Sequence, residues 1–375
     1  MVGGFVRLLT VSHFYESHGG GIERVAAHLC RAFSGQGHKA VWAASSADAV
    51  PADIATVPLA CRDPLERLTG LPMPLPGPRA LRDLARAIDD ADAVIVHDAL
   101  YVTSIAALVM ARRRGKRVVL VQHIAAIPFA SRLMRGVMAL ANLMVTRPML
   151  AAADEVVFIS DTVRQALLGS PPRRSAHLAF NGVDHAIFNA AGPVAQPGPS
   201  GAKRVLFAGR YVAKKGLAVL RACAQARPDW QFVLAGSGPL RPADWGLANV
   251  TDLGPQSPQA LAALYRGADV LLLPSVGEGY PLVIQEAMAC GLPVVCGAPA
   301  QLADPAAGKW LAGAAIDLAR PDASAQACIA AIETLAVDEA ARVAMADYAS
   351  RTYSWPVMAA RLAALAAGAP LKSAR

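Results

Sequence analysis

The stretch "GEGYPLVIQEAMACGLPVV", Gly277 to Val295, sets two glutamates, Glu278 and Glu286, eight positions apart around a proline. Pro281 suits the first turn of a helix, where the amide that proline lacks would have no intrahelical partner. Glu278 then lies in a glycine-bounded loop, and Glu286 more than a turn along the helix. The sequence around Glu286 is nearly all apolar, so its carboxylate is expected half buried, where an unpaired charge is costly. Carboxylates accept hydrogen bonds from neighbouring hydroxyl pairs, so the two suit different sugars, a ribose and a hexose, with amides of the helix start facing phosphate between them. The plainer alternative, two solvated acids, fits poorly with apolar surroundings.

Working outward, "DVLLLPS" precedes this stretch, and similar apolar runs alternate with helical patterns along the whole chain. "VRLLTVS", "KAVWAAS", "DAVIVHD", "RVVLVQH" and "EVVFIS" lie in the first half; "KRVLFAG", "DWQFVLAG" and "LPVVCG" lie in the second. The alternation predicts two doubly wound parallel sheets with crossover helices. A chain of 375 residues exceeds one hydrophobic core, which also points to two domains. "AAGPVAQPGPSGAK", Ala190 to Lys203, has the Pro, Gly and small-residue content of a connector. The expected division is a domain at 1–190, a linker at 191–203, a domain at 204–352 and a helix within 353–375 that packs back on the first domain.

The chain is 54% hydrophobic and 17% charged, which excludes disorder. Its net charge of +8 favours an anionic partner: a phosphorylated substrate, an anionic membrane or nucleic acid. Aromatic residues make up only 6% and do not interleave with a basic stripe, which argues against nucleic acid. "ARRRGKR", Ala111 to Arg117, reads either as a capped helix end or as a contact for acidic lipid head groups. The six cysteines show no metal-like spacing and read as reduced thiols of a cytoplasmic protein, and the N-terminus reads as a strand with no export signal. No run reaches the ~18 uncharged apolar residues of a membrane span. "LMRGVMALANLMVTRPML", Leu133 to Leu150, reads either as a helix lying on a membrane surface or as a buried helix of the first domain.

Parallel sheets bind ligands beyond the carboxyl ends of their strands. Gly19, Gly20 and Gly21 follow the first strand and open a helix, a place where an anion meets free amides, although a tight turn without a ligand uses glycine as well. Arg210 and Lys215 follow "VLFAG" and are placed to bracket a diphosphate; Lys214 reads as a solvated neighbour. His97 and His123 end strands of the first half, where a structural role is the common one and a shared strand-end position favours a functional one. Asp98 reads either as a contact for an acceptor hydroxyl or as a cap for the next turn.

"HGGGIERVAAHL", "VVFISDTVRQAL", "FNGVDHAIF", "FAGRYVAKKGL", "FVLAGSGPL", "ALYRGADVLLLPS", "EGYPLVIQEAMACGLPVV" and "YSWPVMAARL" together resemble the large glycogen-synthase-like family of retaining glycosyltransferases, family 4, group 1. The resemblance implies an α/β GT-B fold: two facing Rossmann-like domains with doubly wound parallel sheets and a cleft between them, the first binding acceptor and the second the nucleotide sugar. It implies that Glu286 holds the ribose and Glu278 the donor sugar, and that Arg210 and Lys215 neutralise the diphosphate. Backbone at Gly279, Tyr280, Pro281 and Leu282, and the turn at Gly19, Gly20 and Gly21, would join them. His123 would touch the sugar near its reacting carbon, and His97 and Asp98 would face the acceptor. No cofactor and no divalent metal are implied.

Two features depart from the family pattern. Pro281 stands where many relatives carry glycine, and "APAQLADPAAGKWLAG" replaces an expected Gly-Gly and glutamate stretch after "PVVCG". The function implied is transfer of a hexose from a UDP- or GDP-linked sugar to a glycan or lipid-linked saccharide, in surface polysaccharide or lipopolysaccharide assembly, in the cytoplasm and in peripheral contact with the inner membrane. The alternatives are a sugar-nucleotide epimerase on the same scaffold and a non-catalytic nucleotide-sugar-binding subunit.

Overall fold

The computed structural model describes residues 5–64, 73–125, 132–169, 176–195, 201–335 and 337–369; the middle of the expected linker, 196–200, and the last residues, 370–375, lie outside the described residues. The chain divides into two compact units: residues 1–181 with 355–375, and residues 182–354.

In unit 1 the strands are β1 (Arg7–Phe14), β2 (Lys39–Ser45), β3 (Ala55–Leu59), β4 (Cys61–Arg62), β5 (Leu75–Pro76), β6 (Ala93–His97), β7 (Arg117–Gln122), β8 (Glu155–Phe158) and β9 (His177–Leu178). Seven form one sheet in the order β3-β2-β1-β6-β7-β8-β9, with every pairing parallel. The short β4 and β5 pair antiparallel on their own. A parallel sheet is covered on both faces, which is why β6 reads Ala-Val-Ile-Val-His without alternation and is buried throughout.

The helices of this unit are α1 (Gly21–Gly35), α2 (Pro78–Asp90), α3 (Val102–Arg113), α4 (Arg132–Ala141), α5 (Arg147–Ala152) and α6 (Asp161–Leu168). In α2, Ala80, Leu84 and Ile88 recur every four residues and bury one stripe. It ends at Asp90, and just beyond it Asp92 accepts from the Arg7 guanidinium at 2.7 Å. Helix α3 ends at Arg113, with Gly115 left-handed at φ 65°. Arg112 pairs with Asp154 at 2.7 Å, Arg114 with Asp89 at 2.7 Å and Arg117 with Glu155 at 2.6 Å. Of the two readings of "ARRRGKR", the capped and internally paired helix end is the one observed. Helix Trp355–Ala366 also belongs to unit 1: Trp355 stacks on His28 with centroids 4.7 Å apart, and Arg117 Nε donates to the Leu365 carbonyl at 2.7 Å.

Unit 2 runs β10 (Arg204–Ala208), α7 (Leu217–Ala226), β11 (Gln231–Ala235), β12 (Val250–Asp252), α8 (Pro258–Gly267), β13 (Val270–Leu273), α9 (Leu282–Ala289), β14 (Val294–Gly297), α10 (Ala298–Gln301), β15 (Leu311–Ala314), α11 (Pro321–Thr334) and α12 (Glu339–Thr352). The sheet order is β12-β11-β10-β13-β14-β15, again all parallel. Residues ahead of β10 run along this unit: Arg266 donates to the carbonyls of Asn189 at 3.0 Å and Pro193 at 2.7 Å.

Strand order reverses beside β1 in unit 1 and beside β10 in unit 2. These switch points open a crevice at the strand ends, so the loops after β1 and β6, and after β10 and β13, are the ones positioned for ligands. Within unit 2 these loops are locked by backbone contact. Gly216, at φ 78°, leaves no room for a side chain, since an added Cβ would lie 2.2 Å from the Pro274 carbonyl. Val276 N donates to the Lys214 carbonyl at 3.0 Å in the same seam. Gly216→Ala is therefore expected to cost about 2 kcal/mol or more of stability, through both the left-handed backbone and the clash. Thermal unfolding of the variant checks this, and an unchanged melting temperature would contradict it.

Candidate active site

In unit 2, the loop after β10 carries Arg210, Lys214 and Lys215, and the loop after β13 carries Ser275 and Glu278. Lys215 Nζ meets Glu278 Oε1 at 2.6 Å, with 13% and 17% of the two side chains exposed. Ser275 Oγ donates to the other Glu278 oxygen at 3.3 Å. The carboxylate thus fixes the ammonium at the strand ends. Arg210, five positions before Lys215 on the same loop, is exposed. Loss of hydration and the charges of Arg210 and Lys215 lower the Lys214 ammonium's pKa, against the pull of Glu278. Lys214, read from sequence as incidental, shares the electrostatic field of this cluster.

Helix α9 starts at Leu282, and Pro281 stands just before it as the cap, with no side chain capping the first turn. Its first amides lack intrahelical acceptors, as at every helix start. Glu286 is half buried, as its apolar neighbours predict, and Tyr265 Oη donates to it at 3.1 Å. Burial first, and then the charge of Glu286, push the Tyr265 hydroxyl far above its ordinary pKa.

Gly279 and Tyr280 are buried. The Tyr280 hydroxyl pairs with that of Tyr353 at 2.9 Å, and the hydroxyls of Tyr353 and Tyr348 both donate to Asp304 Oδ2 at 2.7 Å. Asp304 is itself 1% exposed. This network fixes the Glu278 loop from behind, and Asp304 comes from the very segment that departs from the family pattern. Sequence reading missed it because an Asp-Pro pair in a loop reads as a turn.

In unit 1, strand ends gather a buried polar cluster. His97 Nδ1 and His123 Nε2 are 2.9 Å apart. Burial drives both imidazoles down, His97 to about 3 and His123 well below its ordinary value, so the pair is neutral. His97 has no exposed surface and Asp98 only 1%. Asp98 holds a left-handed backbone at φ 57° and accepts from Gln122 Nε2 at 2.5 Å and from His123 N at 3.2 Å. Burial raises its carboxyl to about 7, against the opposing hydrogen bonds.

The glycine turn has an occupant of its own. Glu23, in the first turn of α1, folds back so that a Cβ on Gly20 would lie 2.0 Å from its carboxylate. Glu23 is 2% exposed and pairs with His13 at 2.8 Å. Burial pushes its carboxyl up, but the hydrogen bond and charge of His13 and its own backbone N–H outweigh this and hold it below the usual range. His13 stacks on Tyr101 at 3.7 Å. Gly20 is thus required by Glu23, while Gly19, at φ 84°, and Gly21 have open space around them. At this helix start, where the sequence leads to an anion being expected, a carboxylate of the chain itself lies against Gly20. His13, Glu23 and Tyr101 were not singled out from sequence, where the "HGGGIER" spacing was read for its glycines alone.

Across 97% of this chain and 98% of the other, the structure resembles sucrose-phosphate synthase from Thermosynechococcus elongatus, with a TM-score of 0.70 and 18% identity. It also resembles the Anabaena protein Alr3699/HepE, solved in complex with UDP, with a TM-score of 0.66, 17% identity and coverage of 96% and 100%. These likenesses define the fold as GT-B. The family model Glycosyltransferase Family 4 matches residues 19–187, and Glycosyl transferases group 1 matches residues 202–335. The chain belongs to this family of glycosyltransferases. A D-inositol 3-phosphate glycosyltransferase of Mycolicibacterium vanbaalenii is 34% identical over 174 residues, 39% of each chain. The chain therefore spans about two fifths of the curated relative it matches.

Asp98 sets a pH dependence. An unfolded aspartate ionises near ~3.9, whereas Asp98 in the fold ionises at about 7. Between these values the folded state holds the extra proton, so stability is full at the acid end and is lost as pH rises towards 7. Asp98→Asn keeps a residue that tolerates the left-handed backbone and is expected to flatten that loss, by up to about 4 kcal/mol. Unfolding free energies from acid to neutral pH in both proteins test this; parallel curves would remove the assignment.

Proposed function

We propose that the protein transfers a hexose from a UDP- or GDP-linked sugar to a hydroxyl of a glycan or lipid-linked saccharide, retaining configuration at the anomeric carbon and using no divalent metal. The observation that carries this is the Lys215–Glu278 pair, on a loop that also carries Arg210, at the switch point of a unit whose residues 202–335 match Glycosyl transferases group 1. The pairing fits a ligand with adjacent anionic and hydroxyl groups: pyrophosphate oxygens draw Lys215 and Arg210, and sugar hydroxyls take the carboxylate oxygens of Glu278. Glu286, braced by Tyr265, takes the ribose hydroxyls. The first amides of α9 point at phosphate.

Bond cleavage leaves negative charge on the diphosphate. Fixed cations already aimed at that charge stabilise the transition state more than the ground state, and they need no reorganisation as it forms. The leaving oxygen, on the face where the acceptor arrives, takes the acceptor proton, so no side chain is required as a covalent nucleophile. In unit 1, His123 is neutral and serves as a hydrogen-bonding group, and His97 orients it through their shared proton. For the acceptor, the matched relative is named for D-inositol 3-phosphate, so a phosphorylated polyol is screened beside saccharides.

Binding is read first, by thermal shift with UDP, GDP and their sugars, because a ligand of the folded state raises apparent stability. Turnover follows with acceptor mixtures. Lys215→Ala and Glu286→Ala are each expected to lower kcat/KM by about tenfold or more, the scale of losing a charge-assisted contact. Negligible effects at both positions would remove the site, and conversion of the donor sugar without any acceptor would make the protein an epimerase.

A further inference from the structure

We propose that the exposed face of α4 and of the helical turn after it is a membrane-docking surface, seated in the head-group layer of an anionic phospholipid bilayer. Leu133 is 77% exposed, Val137 49%, Leu140 59%, Leu143 54% and Met144 65%. Leu133, Val137 and Leu140 are spaced by four and three residues, which puts them on one side of α4, and Leu143 and Met144 follow in the next turn. Met138, Thr146, Met149 and Leu150 turn inward and are buried. One face of this segment is therefore core and the other is an uncovered apolar stripe. Soluble monomers rarely leave such a contiguous stripe in water, and where it occurs it marks an interaction site.

The occupant follows from charge and length. From Arg132 to Ala153 the sequence has three arginines and no acidic residue, and Arg135 and Arg147 are exposed along the stripe. An apolar face bordered by arginines matches acyl chains beneath anionic head groups. A coiled-coil partner would need apolar heptads sustained over ~3–4 repeats. Here the stripe ends within 133–144, and the π-helical turn Asn142–Thr146 breaks its register. Among the described residues no helix is long and apolar enough to cross a membrane, so the helix would lie in the surface.

The turn is also tied to the candidate site. Asn142 Nδ2 donates to the Ala125 carbonyl at 2.6 Å, two residues beyond His123, and Thr146 Oγ1 donates to Asn142 Oδ1 at 2.9 Å. Docking would thus present the strand end that carries His123 to whatever the membrane displays. The inference does not depend on glycosyl transfer, and nucleotide binding in solution is a separate readout.

The test is co-sedimentation of the full chain with vesicles of phosphatidylglycerol and phosphatidylethanolamine, and with vesicles of phosphatidylcholine alone. Binding is expected on the anionic vesicles, weaker at high salt and weak on phosphatidylcholine. Leu140→Glu combined with Met144→Glu is expected to lower it by at least about tenfold, the scale of losing two buried apolar side chains, with unchanged melting temperature and unchanged thermal shift by UDP. No binding to anionic vesicles, equal binding to phosphatidylcholine, or binding that the double variant leaves intact would overturn the proposal. So would a wild-type dimer in solution that the double variant converts to monomer, since the face would then belong to a second copy.

Discussion

The ammonium of Lys215 is held against Glu278 by backbone that cannot move apart. A Cβ on Gly216 would strike the Pro274 carbonyl at 2.2 Å, and one on Gly236 would strike the Gly209 carbonyl at 1.8 Å. These approaches weld the loops after β10, β11 and β13, and the two members of the ion pair sit on separate loops of that weld. The pair is mostly shielded, so breaking it from one side leaves a poorly hydrated charge. That is the condition for preorganisation: the geometry is held by the fold before any ligand arrives.

Unit 1 solves a different electrostatic problem. Three histidines, a glutamate and an aspartate crowd one set of strand ends with little access to water. Burial penalises charge, so His97 and His123 stay neutral and Asp98 is pushed to about 7. Glu23 alone is held below the usual carboxylate range, because His13 answers it at 2.8 Å. The result is a carboxylate held ionised by its contact with His13, set among groups that burial drives toward their neutral forms.

The fold was legible because its strands are buried on both faces: runs such as "AVIVH" and "VLLL" can be read only as the centre of a parallel sheet once helical patterns separate them. The switch points then follow from strand order, and Arg210, Lys215, Glu278 and Glu286 were legible as charged residues at strand ends or in apolar surroundings. What could not be read was partnership. Nothing in the spacing of residues 280, 304, 348 and 353 tells that their side chains meet, because those contacts depend on how β14 and α12 return to the α9 loop. Glu23 was hidden for the opposite reason. Three glycines advertise a helix start with open backbone, and only the geometry reveals that a local carboxylate packs against Gly20 while its neighbours have open space.

The net charge of +8 has a similar lesson. The densest basic run, Arg112 to Arg117, looks like the outward-facing patch, yet three of its five cations, Arg112, Arg114 and Arg117, pair with Asp154, Asp89 and Glu155 within unit 1. Its arginines cap a helix and clamp helix Trp355–Ala366 through the Leu365 carbonyl. Other exposed arginines stand away from that run, among them Arg147 at the start of α5 and Arg210 in the loop after β10. A scattered guanidinium beside apolar surface, or beside an immobilised ammonium, attracts an anion more effectively than a cluster already answered by its own acids. Position relative to counter-charges, more than density along the sequence, decides which cations remain available to a partner.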